Sequence, residues 1–499
     1  GKILLTTLKH MKKFSTALVW LTMSEIIFNI AGYIIHSSVG RILGPADYGR
    51  FSLIVTMTTM IIILIGNGIP TAMSKYLAEI FESAPEKILG IKYKAMKLQA
   101  ILMLSVTAVF FFASPFIAWT LHDATLTPLF QLSSLIIPAF AAASFYFYYY
   151  TGLHFFRLQA FLKTMRALGR ILFIVSFAYF FGVEGAVSGY IVAPIFVFLI
   201  ALLCDIYITH KYFPAVKQSK SEVVTFSGKT ILAYAGPLTL FLLFYEFILT
   251  IDLYFVKGLL QSDYLTGIYN AAITVGRIPY YLFYALTIIL LPAISKTTAE
   301  RDTVETEKLV KKSLRLLILL LFPMITLLVA YAPEVLTLFY GTAYLEATLP
   351  MSIFTIGVGF LTVFYVLSFA LNGAGLVKIP MKLAFYGFLG MIVLNFLLIP
   401  TFGLIGASLA TAIVSCFLMV SILVYTKQTF HTKISIRTIF FSHISAVIIS
   451  LASRHLPHGS YSFMIFGTIL FFCYFMLLKL FGELTSEDLK PFRTLLKKS

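Results

Sequence analysis

A chain of 499 residues with 60% hydrophobic and only 12% charged side chains, at a mean hydropathy of +0.94, lacks the polar surface a water-soluble fold needs. Its apolar runs are solid over about 17–30 residues, the length of a membrane-spanning helix, and do not alternate as barrel strands would. The formal net charge of +17 would suit nucleic acid, but the basic residues lie in short loops between apolar runs, which excludes that reading.

Lys9, Lys12 and Lys13 precede the first apolar run, near 16–40. No A-x-A-like cleavage site follows, so a retained first helix is predicted rather than a signal peptide. This span contains Glu25, Asn29 and His36, and the second, near 50–74, contains Asn67. Spans three to six are predicted near 98–121, 127–151, 160–181 and 185–208. The aromatic run FYFYYY at 145–150 falls where an interfacial belt is expected. Arg157, Lys163 and Arg166 read as basic residues of the cytoplasmic loop before span five. A polar linker with Pro214, serines and lysines then occupies 209–229.

The seventh span, near 230–256, contains Glu246. Asp252 and Lys257, near its outer end, read as a solvated, snorkelling pair. The eighth, near 264–293, places Arg277 about halfway along, just before Pro279, which removes a backbone donor and kinks the helix. Spans nine to fourteen follow near 313–332, 348–371, 381–399, 403–426, 438–453 and 461–481. The expected fold is therefore an all-α membrane protein of about fourteen transmembrane helices. With the N-terminus cytoplasmic, Arg41, Arg50, Lys257 and Arg454 lie on the outer side, and nearly all other loop Lys and Arg on the cytoplasmic side. That bias predicts a multi-pass protein of the cytoplasmic membrane with both termini cytoplasmic. Cys204, Cys416 and Cys473 fall inside apolar runs, far apart, and read as core residues rather than disulfides or metal ligands.

The chain also repeats itself. GRILGPADYGRFSL at 40–53 and KGLLQSDYLTGIYNA at 257–271 each place Asp-Tyr and then Gly after a short turn between spans. Pro115 pairs with Pro333 and Gly152 with Gly373, and FGVEGAVSG at 181–189 pairs with FGLIGASLA at 402–410. The offset stays at about 216–221 residues, a repeat unit of six helices. An even number gives both copies one orientation, so two parallel six-helix lobes are expected, 1–208 and 230–426, joined by the 209–229 linker. Two extra C-terminal helices and a cytoplasmic tail make up 427–499. Paired parallel lobes suit alternating access.

Ionisable residues inside spans are costly and are functional candidates. Arg277 at mid-depth requires an anion, and a substrate phosphate fits its fork; a structural ion pair is the bland alternative. Glu25 and Glu246, on the first and seventh spans, are candidates to pair with Arg277 or to bind a coupling proton or sodium ion. Asn29, His36 and Asn67 are polar candidates for substrate contact, or else bonds between helices. No cofactor is predicted, and no G-x-x-x-x-G-K-[ST] phosphate loop is present in the sequence, so the chain is not expected to hydrolyse ATP.

LGPADYGRFSL at 43–53 resembles a motif near the start of the polysaccharide and O-antigen lipid flippases, within the multidrug/oligosaccharidyl-lipid/polysaccharide exporter superfamily. GNGIPTAMSKYLAE at 66–79 resembles the next stretch of that family, and GRIPYYLFYALTIILLPAISK at 276–296 is similar to the eighth span shared with sporulation-type and lipid II flippases. The resemblance covers most of the chain and implies a flippase for a polyprenyl-pyrophosphate-linked oligosaccharide. It implies no enzymatic activity, and a monomer working near glycosyltransferases or a polymerase. Asn29, Ile35, Ile62 and Ile63 stand where lipid II flippases carry cations, which favours the broader polysaccharide branch over lipid II itself. An ion-coupled multidrug exporter of the same superfamily is the first alternative, disfavoured by the two extra spans. A membrane glycosyltransferase or polymerase is the second, disfavoured by short outer loops.

Overall fold

The computed structural model describes residues 2–65, 68–80, 85–212, 228–432, 435–459 and 461–484. These form α1 (Lys2–Ile65), α2 (Gly68–Ile80), α3 (Ile88–Thr120), α4 (Thr127–Ser133), α5 (Ile136–Gly152), α6 (Phe156–Tyr212), α7 (Gly228–Leu260) and α8 (Asp263–Gly276). There follow α9 (Ile278–Ala299), α10 (Thr303–Ala330), α11 (Ala332–Tyr340), α12 (Thr348–Gly373), α13 (Lys378–Phe402), α14 (Leu404–Phe430), α15 (Ile436–Ser453) and α16 (Ser462–Leu480). No strand occurs among the described residues. The reason is physical: with no water in the hydrocarbon, each apolar segment must satisfy its backbone internally, and the helix does so within one segment.

Eleven helices among the described residues are long and apolar enough to cross a membrane, against the fourteen expected. The difference has a location. Two of the eleven, Met23–Ile63 and Phe156–His210, are each interrupted by one non-helical glycine, Gly44 and Gly182. The stretch expected as the eighth span is divided at Arg277 into α8 and α9. Large apolar side chains on the outward faces, such as Phe112, Leu172, Leu397 and Phe472, are exposed, as a lipid-facing surface requires.

The chain separates into two compact units, Gly1–Gly228 and Lys229–Ser499. The division falls at the end of the predicted linker, most of which lies outside the described residues. In the first unit α5 packs against α6 and α2, and α1 lies along α6. In the second, α12 is the hub: most of its residues are buried, and it packs on α8, α9, α10 and α14. The C-terminal helices α15 and α16 belong to this unit. Glu483, just past α16, accepts from Arg437 Nε at 2.7 Å and Thr438 Oγ1 at 2.9 Å, and pairs with Arg315 of α10 at 3.8 Å. At the other end of these helices His458 Nδ1 meets Glu334 Oε1 of α11 at 2.6 Å.

The sequence repeat is matched by a repeat of backbone conformation. Positive φ occurs at Gly44, His122, His154 and Gly182 in the first unit and at Gln261, Gly341, Gly375 and Gly403 in the second, in the same order and at the spacing of the repeat. The closest match lies in the paired FG-x-x-G motifs. Gly182 has φ 64°, ψ −141°, and Gly403 has φ 57°, ψ −133°. A Cβ on the glycine three residues later, Gly185 or Gly406, would collide with the backbone of Phe177 or Leu398 respectively. Only glycine tolerates the first conformation without strain. Gly403→Ala is therefore expected to destabilise the protein by about 1–3 kcal/mol, read as a lower melting temperature in detergent. Alanine at Gly467, a helical glycine with nothing near its missing Cβ, should be neutral or slightly stabilising.

Candidate functional site

Arg277 occupies the junction between α8 and α9. Its amide still donates to the Ile273 carbonyl at 3.1 Å, but Pro279, at the start of α9, has no N–H to continue the ladder. The predicted kink is thus a break between two helices. Gly276 lets α8 pack closely on α12 there, because a Cβ would lie 2.7 Å from the Phe354 ring. From this break the half-buried Arg277 side chain reaches α7, where Nη2 donates to the Leu249 carbonyl. Glu246 and Asp252, one turn to either side of Leu249, are both in its electrostatic field. Next to them Tyr245, Tyr280 and Tyr365 form a compact aromatic group with ring centroids 4.6–5.7 Å apart.

The residues that follow Arg277 turn the other way. Ile278 and Pro279 line an apolar groove of about 440 Å³ completed by Leu327 and Tyr331 of α10 and Phe463 and Phe471 of α16. Arg277 is thus followed directly in the chain by two residues of an open apolar groove.

Asp252 and Lys257 are not the solvated surface pair expected from their spacing. Asp252 is fully buried, accepting from Tyr269 Oη at 2.6 Å and Thr411 Oγ1 at 3.0 Å, and Lys257 is buried against Asp263 at 2.5 Å. Burial demands partners for a charge, and here each charge has found different ones.

In the first unit, Glu25 of α1 pairs with Lys163 of α6. Arg157, Lys163 and Arg166 do not sit in a loop before span five: α6 already begins at Phe156, and the spacing of Lys163, Arg166 and Arg170 puts those three on one face of it. That face is turned toward Phe28 of α1. Lys163 Nζ, Arg166 Cζ and Arg170 Cζ lie 5.7, 4.9 and 4.6 Å from the centre of that one ring. Arg166 is buried, also between Phe140 and Phe147 at 4.7 Å each, and donates to Ser144 Oγ at 3.3 Å. Arg170 donates to Tyr190 Oη at 3.3 Å. Each cation–ring contact is worth about 0.5–2 kcal/mol, which helps but does not neutralise a buried charge.

Of the other residues singled out in the sequence, Asn29 is half-buried on α1, one residue beyond Phe28. His36 bonds through Nδ1 to the hydroxyl of the fully buried Tyr48 at 3.0 Å, which ties α1 across its Gly44 break. Asn67 lies outside the described residues. Glu25 and Glu246 are in different units, and so are Glu25 and Arg277.

The run at 145–150 is not an interfacial belt. Phe145, Tyr146, Phe147, Tyr149 and Tyr150 are all buried, around an ion pair that the sequence reading missed. Lys92 of α3 binds Asp205 of α6. Lys92 Nζ lies 5.5 Å from the Tyr146 ring and 4.9 Å from the Tyr149 ring, and Tyr146 Oη donates to Asp205 at 3.4 Å. The available signal was Asp205, the one charged residue in the predicted span 185–208; Lys92, among Lys87, Lys94 and Lys97 and ahead of the third span, gave none.

Long apolar helices broken at paired glycines, in two units sharing one local geometry, define an all-α membrane protein. Residues 16–298 match the model of the polysaccharide biosynthesis protein family. The chain belongs to that family. Among its relatives, an uncharacterized membrane protein of Methanocaldococcus jannaschii is 24% identical over 407 residues, 80% of this chain and 94% of that one. Stage V sporulation protein B of Bacillus subtilis is 24% identical over 341 residues, 64% of this chain and 65% of that one. Among solved structures, the lipid II flippase MurJ in an inward closed conformation superposes with a TM-score of 0.72 at 16% identity, covering 93% of this chain and 98% of its own. An inward-facing multidrug-resistance MATE transporter gives 0.64 at 14% identity, covering 83% and 98%.

Proposed function

We propose that this protein moves a polyprenyl-pyrophosphate-linked oligosaccharide across the cytoplasmic membrane, by alternating access of its two repeated units, for cell-surface polysaccharide synthesis. The observation that carries the reading is the break at Arg277. A lipid-linked saccharide is an anionic headgroup on a long apolar chain. Arg277 offers a guanidinium fork, and the next two residues open onto an apolar groove. The family's description and the flippase named among the structural neighbours agree with a substrate of that class.

The proposed topology has fourteen passes with both termini cytoplasmic. It counts the helices interrupted at Gly44 and Gly182 as two passes each and α8–α9 as one. Energy would come from an ion gradient, since the sequence has no nucleotide-binding loop. Glu25 and Glu246 remain candidate coupling carboxylates, and the fully buried Asp252 joins them.

A ligand that binds only the folded state raises its melting temperature with concentration. In detergent, a short-chain polyprenyl-diphosphate-linked sugar should stabilise the purified protein, and a lipophilic cation of similar size should not. Stabilisation by the cation alone would favour a multidrug exporter.

A further inference from the structure

Among the described residues of the first unit, three cations gather where a single carboxylate is paired with them. Lys163, Arg166 and Arg170 converge on the Phe28 ring, and Glu25 is the one carboxylate paired with them among the described residues. Arg166 is 6% exposed, and its Nε is buried with no hydrogen-bond partner; Arg170 Nε is in the same state. Buried guanidinium N–H groups left unmatched point to a missing acceptor rather than to a finished structural cluster. Glu25 differs from the rest of the cluster: its side chain is 40% exposed, against 13% for Lys163. It closes the site from the accessible edge, and one carboxylate is less charge than three cations call for.

We propose that Lys163, Arg166 and Arg170 form a binding site for a diphosphate, which Glu25 occupies as a displaceable internal counter-ion. A diphosphate brings more negative charge than a carboxylate and more acceptor oxygens, enough to meet the lysine and both guanidinium groups at once. Glu25 would be released toward the exposed edge as the anion enters. The site lies wholly within the first unit, on helices other than those bearing Arg277. Its relevance to transport rests on the proposed lipid-diphosphate substrate, but its test reads binding alone. Glu25 then has a competing role, one that keeps a charged pocket tolerable when no anion is bound.

The test is calorimetric titration of inorganic pyrophosphate into the full-length protein in nanodiscs of zwitterionic phosphatidylcholine. The wild type should bind. Glu25→Gln, which keeps shape but removes the competing charge, should tighten binding roughly fivefold or more, while Lys163→Gln and Arg166→Gln weaken it at least about tenfold. Should the buried Arg166 variant fail to give monodisperse protein, the Lys163 variant and the near-isosteric Glu25 variant at the accessible edge decide the matter. A Glu25→Gln protein that binds pyrophosphate no better than wild type overturns the proposal, as does an unchanged affinity in Lys163→Gln. A parallel titration in nanodiscs containing phosphatidylglycerol separates substrate from headgroup: affinity should persist there, and its loss would assign the site to anionic lipid and overturn the diphosphate assignment. None of these outcomes depends on the glycolipid stabilisation experiment, so the two readings fail separately.

Discussion

Arg277→Ala is expected to abolish glycolipid transport while the protein still inserts and folds. A pyrophosphate entering the membrane interior must be met by a cation, because an unpaired anion at low dielectric is prohibitively costly. Arg277 is placed for this by a helix break rather than by a regular helix, so its backbone does not need the side chain to hold its shape. Removing one partner of a desolvated charge pair costs about 2–5 kcal/mol, which lowers transport by a factor of roughly thirty or more. Arg277→Lys should retain part of the activity, because an ammonium keeps the charge and loses the bidentate fork. Neutralising Glu246, which shares the field of Arg277 along α7, should alter the ion dependence of transport more than substrate affinity. Initial rates in proteoliposomes, normalised to folded protein, measure all three. Full transport by the Ala variant would remove Arg277 from the mechanism.

The second large effect is on stability. Lys92 and Asp205 are buried together within the tyrosine-lined core of the first unit. Lys92→Met leaves the Asp205 carboxylate, among the described residues, with one weak hydrogen bond from the Tyr146 hydroxyl at 3.4 Å, far too little for a buried charge. The expected loss is about 3–5 kcal/mol, seen as a large drop in melting temperature or as failure to recover monodisperse protein. The double variant Lys92→Met/Asp205→Leu, which removes both charges, should recover most of that loss. A single variant as stable as wild type would show that the pair is not a structural lock.

The parts of the fold legible in the sequence are those set by backbone chemistry. Paired FG-x-x-G motifs announced a repeat because only glycine takes the conformation at Gly182 and Gly403 and only glycine clears the backbone at Gly185 and Gly406. Pro279 announced a disturbance at Arg277 for the same kind of reason, although a kink was expected and a break is found. What the sequence hid was sidedness. Hydropathy reports how deep a residue lies, not whether its helix face meets lipid or protein, so FYFYYY read as a membrane-surface belt when it is a core. The same limit placed Lys163 and Arg166 in a loop, since charges near the end of an apolar run are conventionally pushed outside it. Their spacing of three and then four residues to Arg170 was the overlooked sign of a single helix face. Asp252 was misread because its partners, Tyr269 and Thr411, lie on other helices and leave no trace in local spacing.

Movement of a lipid-linked saccharide is read out by a leaflet-accessibility assay. The purified protein is reconstituted in liposomes containing a fluorescent polyprenyl-diphosphate oligosaccharide, with an imposed sodium or proton gradient and no ATP. The account predicts protein-dependent exchange of the glycolipid between leaflets, lost in Arg277→Ala, and no comparable movement of a lipophilic cation. Transport of the cation with the glycolipid left in its original leaflet would contradict it.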